Sequence, residues 1–203
     1  LLKKIKRTWN KLKDANELLK EIDEDAKKML SEKRYIHCKN VMKRAVELAK
    51  IYGIDENKAM LAGFAHDIAK EMPKDEMFKY IEEHNIKIDE FERKNPGLLH
   101  GKIAAVFCKE KYGFTEDMQK ALEYHTTGEP DMDDLAKIVF IADKTEVGRK
   151  NNDWEKIREK EKEGLDALLL FIIDESICYV IKKEKQIRVD TILTRNYLLE
   201  KMK

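Results

Sequence analysis

The stretch Asp55-Glu56-Asn57-Lys58-Ala59-Met60-Leu61-Ala62-Gly63-Phe64-Ala65-His66-Asp67 decides how the fold is read. Asp55 is a residue type that accepts hydrogen bonds from the free amides of a helix start. Behind it, Ala59, Ala62, Gly63 and His66 recur at the three- and four-residue spacing of one helical face, and Pro73 marks a stop. The same grammar extends in both directions. Upstream, Ser31 caps a long helix that runs to Gly53, with His37, Val41, Ala45, Leu48 and Tyr52 on one face. Downstream, a helix over residues 75–84 gives way to a looser stretch ending at Pro96-Gly97. His100 to Tyr112 reads as helix with Gly113 as its C-cap, and Thr115 caps another that carries Met118, Ala121, Leu122 and His125. Thr126-Thr127-Gly128-Glu129-Pro130 breaks that helix.

Leu135, Ile138, Val139, Ala142 and Glu146 form a further stripe ending at Gly148, followed by a charged connector. Leu165 to Ile181 reads as the most buried helix, and Asp190 caps a last one. No segment alternates with period two and no repeat occurs. The expectation is an all-α bundle in two parts: residues 1–30 as an amphipathic helical lead-in and 31–203 as the domain proper. Leu1, Ile5, Leu12, Leu18, Leu19 and Ile22 carry the lead-in's periodicity. Leu1 in place of an initiator Met points to a chain trimmed or cut from something longer.

Charge narrows the classes. The chain has 203 residues, 40% of them charged against roughly 25% in an average protein, yet 41 Lys+Arg nearly cancel 40 Asp+Glu. A general nucleic-acid or membrane-surface binder shows one-sided charge, so neither is expected as a partner. Cys38, Cys108 and Cys178 are odd in number and far apart, which fits neither a disulfide framework nor a zinc ribbon and suits a reducing cytoplasm. No apolar run approaches the roughly 18 residues of a membrane helix.

His37, His66, Asp67 and Asp143 would bring two imidazoles and two carboxylates together from three helices. Singly, each has an ordinary reading: a core histidine with a satisfied hydrogen bond, or a carboxylate serving as cap or ion-pair partner. Together they suggest a metal site assembled inside a bundle. Nitrogen and oxygen donors without thiolate suit Fe, Mn, Mg, Zn or Co better than a structural zinc. His84, set among charges at Glu82-Glu83-His84-Asn85, reads as structural, while Trp9 and Trp154 either pack on the body or cover a pocket.

The order His37…His66-Asp67…Asp143 resembles the signature of the HD-domain metal-dependent phosphohydrolases. The likeness sharpens toward the YqeK family at Arg34-Tyr35-Ile36-His37, Ala65-His66-Asp67-Ile68-Ala69-Lys70-Glu71-Met72-Pro73 and Leu99-His100-Gly101. It continues through Tyr124-His125-Thr126-Thr127-Gly128, the run Ile141–Arg149 and Thr191-Ile192-Leu193-Thr194-Arg195-Asn196-Tyr197-Leu198. The resemblance covers residues 31–199 in order.

It implies an HD-domain helical bundle that hydrolyses diadenosine tetraphosphate and related dinucleoside tetraphosphates symmetrically to ADP. It further implies His37, His66, Asp67 and Asp143 as ligands of a divalent transition metal, iron first, with Mn, Co, Zn or Mg as alternatives. His100 and His125 then face the same cavity, holding a second metal or touching phosphate, and Asp67, His100 and His125 form the catalytic set. Substrate contacts are expected from His37, Asp67, Lys70, His100, His125, Thr126, Thr127 and Arg149. The ordinary readings of Lys70, Thr126-Thr127 and Arg149 are a solvated helix end, a turn and a surface cation.

Some relatives are fused to a nicotinate-nucleotide adenylyltransferase. Residues 1–30 are nonetheless read as an N-terminal helix rather than a detached linker. Two other readings stand beside the hydrolase: a different HD phosphohydrolase acting on nucleoside monophosphates or guanosine polyphosphates, and a metal-free nucleotide-binding module. The guanosine-polyphosphate branch shows His-Asp-x-x-Glu-Asp, where this chain has Lys70. A homodimer is left open.

Overall fold

The computed structural model describes residues 14–150 and 152–203. The first part of the lead-in, including Leu1, Ile5, Trp9 and Leu12, lies outside the described residues. Among those described, the chain is helical with tight connections: α1 (Ala15–Met29), α2 (Glu32–Tyr52), α3 (Glu56–Ala65), α4 (Lys74–Glu83), α5 (Glu90–Lys94), a 3₁₀ turn (Pro96–Leu98), α6 (His100–Tyr112), α7 (Glu116–Tyr124), α8 (Asp134–Thr145), α9 (Trp154–Glu163), α10 (Leu165–Lys182) and α11 (Val189–Lys201). No strand occurs among the described residues. None of their helices is long and apolar enough to cross a membrane.

The helix starts obey local chemistry. Asp14, Ser31, Asp55, Asp89, Asp133 and Asp153 each accept from a backbone amide in the first turn of α1, α2, α3, α5, α8 and α9. Glu71 in turn grips Ser31, accepting from its hydroxyl at 2.7 Å and from its amide. This ties the start of α2 to the segment just past His66-Asp67. Gly53 and Gly113 close α2 and α6 in the left-handed conformation, with φ of 71° and 72°.

α2 packs mainly on α3 and α8, α7 on α6 and α8, and α10 on α8, α9 and α11, so α8 is the central rod. Ile138, Val139, Phe140, Ile141 and Ala142 are all fully buried in it. Ile138→Val should cost about 0.5–1.5 kcal/mol, read as a fall in Tm of a few degrees in thermal unfolding.

The structure corrects several boundaries. The helix from Asp55 ends at Ala65 rather than near Pro73, and the chain continues through short turns. The looser stretch before Pro96 contains α5, and the charged connector after Gly148 contains α9, whose single buried residue is Ile157. Charge density concealed α9, because one inward apolar residue anchors it. The most buried helix is α8, not α10: beyond Ile173 the latter overhangs its partners, leaving Tyr179 and Ile181 exposed. An all-round apolar run does not reveal where its covering helices stop. Thr115 occupies the N-cap of α7 but gives its hydroxyl to Asp117, and Arg188 precedes α11 with Asp190 inside its first turn.

Candidate active site

α2 carries Arg34 and His37 on one face, three residues apart. α3 stops at Ala65, and hydrogen bonds from Ile68 to the Ala65 carbonyl (3.0 Å) and from Lys70 to that of Asp67 (2.9 Å) turn the chain tightly. His66 and Asp67 sit in this turn. The close approach of α3 to α2 needs Gly63, where a Cβ would lie 2.9 Å from the Ala45 Cβ. His100 opens α6, His125 ends α7, and α8 supplies Asp143 with Glu146 just beyond it.

Each of these four imidazoles is held by its Nδ1. His66 donates to the Gly63 carbonyl at 2.8 Å, His100 to that of Gly97 at 2.8 Å, and His125 to that of Leu122 at 2.6 Å. His37 Nδ1 stands 3.2 Å from Glu146 Oε1. A carbonyl or an ionised carboxylate can only accept, so the ring nitrogen must donate, which fixes the proton on Nδ1. Four Nε2 atoms are thereby aimed into one space.

Asp67 occupies the middle of it. Its Oδ2 is 3.5 Å from His66 Nε2 and 3.8 Å from His37 Nε2, and its Oδ1 is 3.0 Å from His100 Nε2 and 3.6 Å from His125 Nε2. Asp143 Oδ1 completes the first side, 3.1 Å from His37 Nε2 and 3.8 Å from His66 Nε2. His37 Nε2 and His66 Nε2 are buried yet lack hydrogen-bond geometry to any partner. On the second side, His100 Nε2 and His125 Nε2 face each other at 3.0 Å. With Nδ1 protonated on both, two lone pairs face each other there, and the Lys70 ammonium beside the first and the Thr126 hydroxyl beside the second are in reach to donate. The donor atoms form two triplets, His37-His66-Asp67 and Asp67-His100-His125, each with its atoms within 4.8 Å of one another. Orphaned buried nitrogens and a hard N/O donor set both fit a divalent metal.

Burial alone would push the Asp67 carboxyl up, but the imidazoles of His66, His100 and His125 outweigh it and hold Asp67 below the usual carboxylate range. Asp143 is lowered too, against burial, by Lys144, His37, His66 and Arg149. Burial pushes His125 down to about 4, keeping it neutral, and lowers His100. Burial likewise lowers the ammonium groups of Lys70 and Lys144.

The sequence-named residues mostly converge. Lys70 Nζ lies 3.3 Å from His100 Nε2, and the Thr126 hydroxyl lies 3.1 Å from His125 Nε2. Arg149 binds the Asp143 carboxylate at 2.6 Å, so it is tethered to the cluster. Thr127 is not brought in: its hydroxyl turns to the Gly128 carbonyl and its own carbonyl accepts from Thr191.

Three residues gained no role from the sequence: Arg34, 2.7 Å from Asp67 Oδ2; Glu146, against His37; and Lys144, which donates to the His125 carbonyl at 2.8 Å. Two left a signal in their spacing, since Arg34 stands three residues before His37 and Glu146 three after Asp143, each on its neighbour's face. His84 is structural as read, stacked on Tyr80 with centroids 3.8 Å apart.

Fold and site together define an HD domain, and the HD domain family model matches residues 34–148. The symmetrical bis(5'-nucleosyl)-tetraphosphatase of Halalkalibacterium halodurans is 38% identical over 175 residues, 86% of this chain and 93% of that protein. The one of Bacillus subtilis is 34% identical, over 85% of this chain and 93% of the relative. A crystal structure from Clostridium acetobutylicum, described as an HD superfamily hydrolase involved in NAD metabolism, superimposes with a TM-score of 0.84 at 36% identity, covering 90% of this chain and 97% of that one. The chain belongs to the HD-domain family of symmetrical bis(5'-nucleosyl)-tetraphosphatases.

Proposed function

We propose that the protein cleaves diadenosine tetraphosphate and related dinucleoside tetraphosphates at the central anhydride, releasing two molecules of ADP. The observation that carries this reading is the convergence of four Nδ1-anchored imidazoles on one shared carboxylate. His37, His66, Asp67 and Asp143 would hold one divalent ion, iron first among the candidates. Asp67, His100 and His125 would hold a second ion or meet phosphate directly. Such ions, when bound, supply a water-derived nucleophile near neutral pH and neutralise charge on phosphate oxygens.

The protein's own groups do the rest. Asp67 spans both sides and orients them, while Arg34 fixes one of its oxygens. His125, its Nδ1 committed to the Leu122 carbonyl, presents only Nε2, either to the second ion or to phosphate. Lys70 and Arg149 offer donors to the anionic chain, Arg149 with a planar fork suited to phosphate oxygens. Thr126 offers its hydroxyl beside His125, and Lys144 pins the turn carrying His125. Thr127 belongs to the turn rather than to phosphate binding. Residues 31–203 carry this chemistry, with 1–30 as the lead-in, and three free cysteines, two of them buried, suit the cytoplasm.

Protein loaded with Fe, Mn or Co and given diadenosine tetraphosphate should yield ADP as sole product by ion-exchange chromatography. Chelation should stop the reaction and re-addition of metal restore it. Recovery of AMP with ATP would refute the symmetrical reading.

A further inference from the structure

Trp154 has no part in the chemistry above, yet it lines a cavity of about 500 Å³ between α2 and α9 together with Asn40, Lys43, Arg44 and Arg158. This cavity is not isolated. A neighbouring space of about 540 Å³ beside the metal-ligand cluster is lined by Arg34, His37, Asn40 and Glu146, so Asn40 belongs to both. Val147, between Glu146 and Gly148, stands at the junction and is 77% exposed. Along α2, Asn40 and Arg44 follow His37 by three and seven residues on the same face. They therefore lie about 5 Å and about 10 Å further along the helix axis. That reach matches one half of an extended dinucleoside tetraphosphate whose central anhydride sits at the cluster.

The lining chemistry is that of a nucleotide subsite. Arg44 is committed: it donates to the Thr145 hydroxyl at 3.2 Å, pairs with Glu47 and Glu161, and holds its guanidinium carbon 5.8 Å from the Trp154 ring centroid. These contacts set one guanidinium against two of the lining's acids, so that with Lys43 and Arg158 the cleft carries one net positive charge, and they hold a half-buried indole in place. Lys43 and Arg158 are exposed, and with Asn40 they make no ion pair or hydrogen bond among the described residues. An aromatic surface, two uncommitted cations and one uncommitted amide suit an aromatic base carried on an anionic chain.

Resting on the hydrolase reading, we infer that the α2–α9 cleft is a nucleoside subsite in which Trp154 contacts the base, Asn40 the ribose or base edge, and Lys43 and Arg158 the flanking phosphate. The base contact governs substrate affinity and leaves the bond-breaking step alone.

The test uses the full chain with Trp9→Phe, so that Trp154 is the only fluorophore of its kind. ADP should quench its emission saturably, and inorganic pyrophosphate should not. Trp154→Leu should raise KM for diadenosine tetraphosphate about tenfold, the scale of one lost base–aromatic stack, with kcat nearly unchanged. Trp154→Phe should recover most of the loss. Should Trp154→Leu not fold, Arg158→Ala at its exposed position should weaken ADP binding several-fold at low salt. Unquenched emission with ADP, or an unchanged KM in a Trp154→Leu enzyme that still makes ADP, overturns the subsite while leaving the hydrolase reading intact. A parent protein that makes no ADP from the tetraphosphate refutes the hydrolase reading, and ADP quenching then decides the subsite alone.

Discussion

Asp67→Asn is expected to lower kcat for diadenosine tetraphosphate by roughly 10³-fold or more, the upper range for removing one electrostatic partner from an active site. Asp67 is the only residue common to both donor triplets, with Oδ2 turned to His37 and His66 and Oδ1 to His100 and His125. An amide of the same size keeps the packing but supplies no charge and only one acceptor oxygen, so both triplets lose their anionic donor and one of them also loses its oxygen. Metal per chain, measured by elemental analysis after gel filtration, should fall with turnover. Arg34 also loses its partner while partly buried, at a cost of about 1–3 kcal/mol, so a drop in Tm of several degrees should accompany an unchanged helical circular dichroism spectrum. Full metal content with wild-type turnover in this variant would remove Asp67 from the centre of the mechanism.

Much of this site was legible because chemistry-bearing residues stood at helical positions. His37 and Asp143 lie on the helices where period places them, whereas His66 and Asp67 fall in the turn just past α3, and it was the family resemblance that joined the four as ligands. The acceptors on Nδ1 were not, since three of them are backbone carbonyls of Gly63, Gly97 and Leu122 that no side-chain pattern announces. Arg34 and Glu146 were in plain view, but a charge among many charges acquires a role only when a distant element closes on it. Fold boundaries failed for a related reason. α9 is a helix anchored by one buried isoleucine, and the overhang of α10 depends on where α8 and α9 end, which is tertiary information.

Gly101→Ala should produce a large loss of stability for so small a change, and it should damage the site as well. A Cβ at position 101 would lie 2.8 Å from the Leu122 carbonyl oxygen and 3.0 Å from that of Glu123. Both are backbone atoms near the end of α7, so no side chain can swing aside, and α6 and α7 must separate. Overpacking of this kind costs about 1–3 kcal/mol, or a fall in Tm of roughly 2–10 °C for a chain of this size. Gly101→Val should cost more.

The Leu122 carbonyl is also the acceptor that fixes His125 Nδ1 at 2.6 Å, and His125 Cε1 would stand 3.5 Å from the added methyl. Moving that carbonyl loosens the tautomer lock on one member of the second triplet while the first triplet, built from α2 and the turn after α3, is untouched. Turnover should therefore fall at temperatures well below the new Tm, with metal retained at the His37-His66-Asp67-Asp143 side. A variant that loses stability but keeps full kcat would mean that His125 does not depend on its backbone anchor.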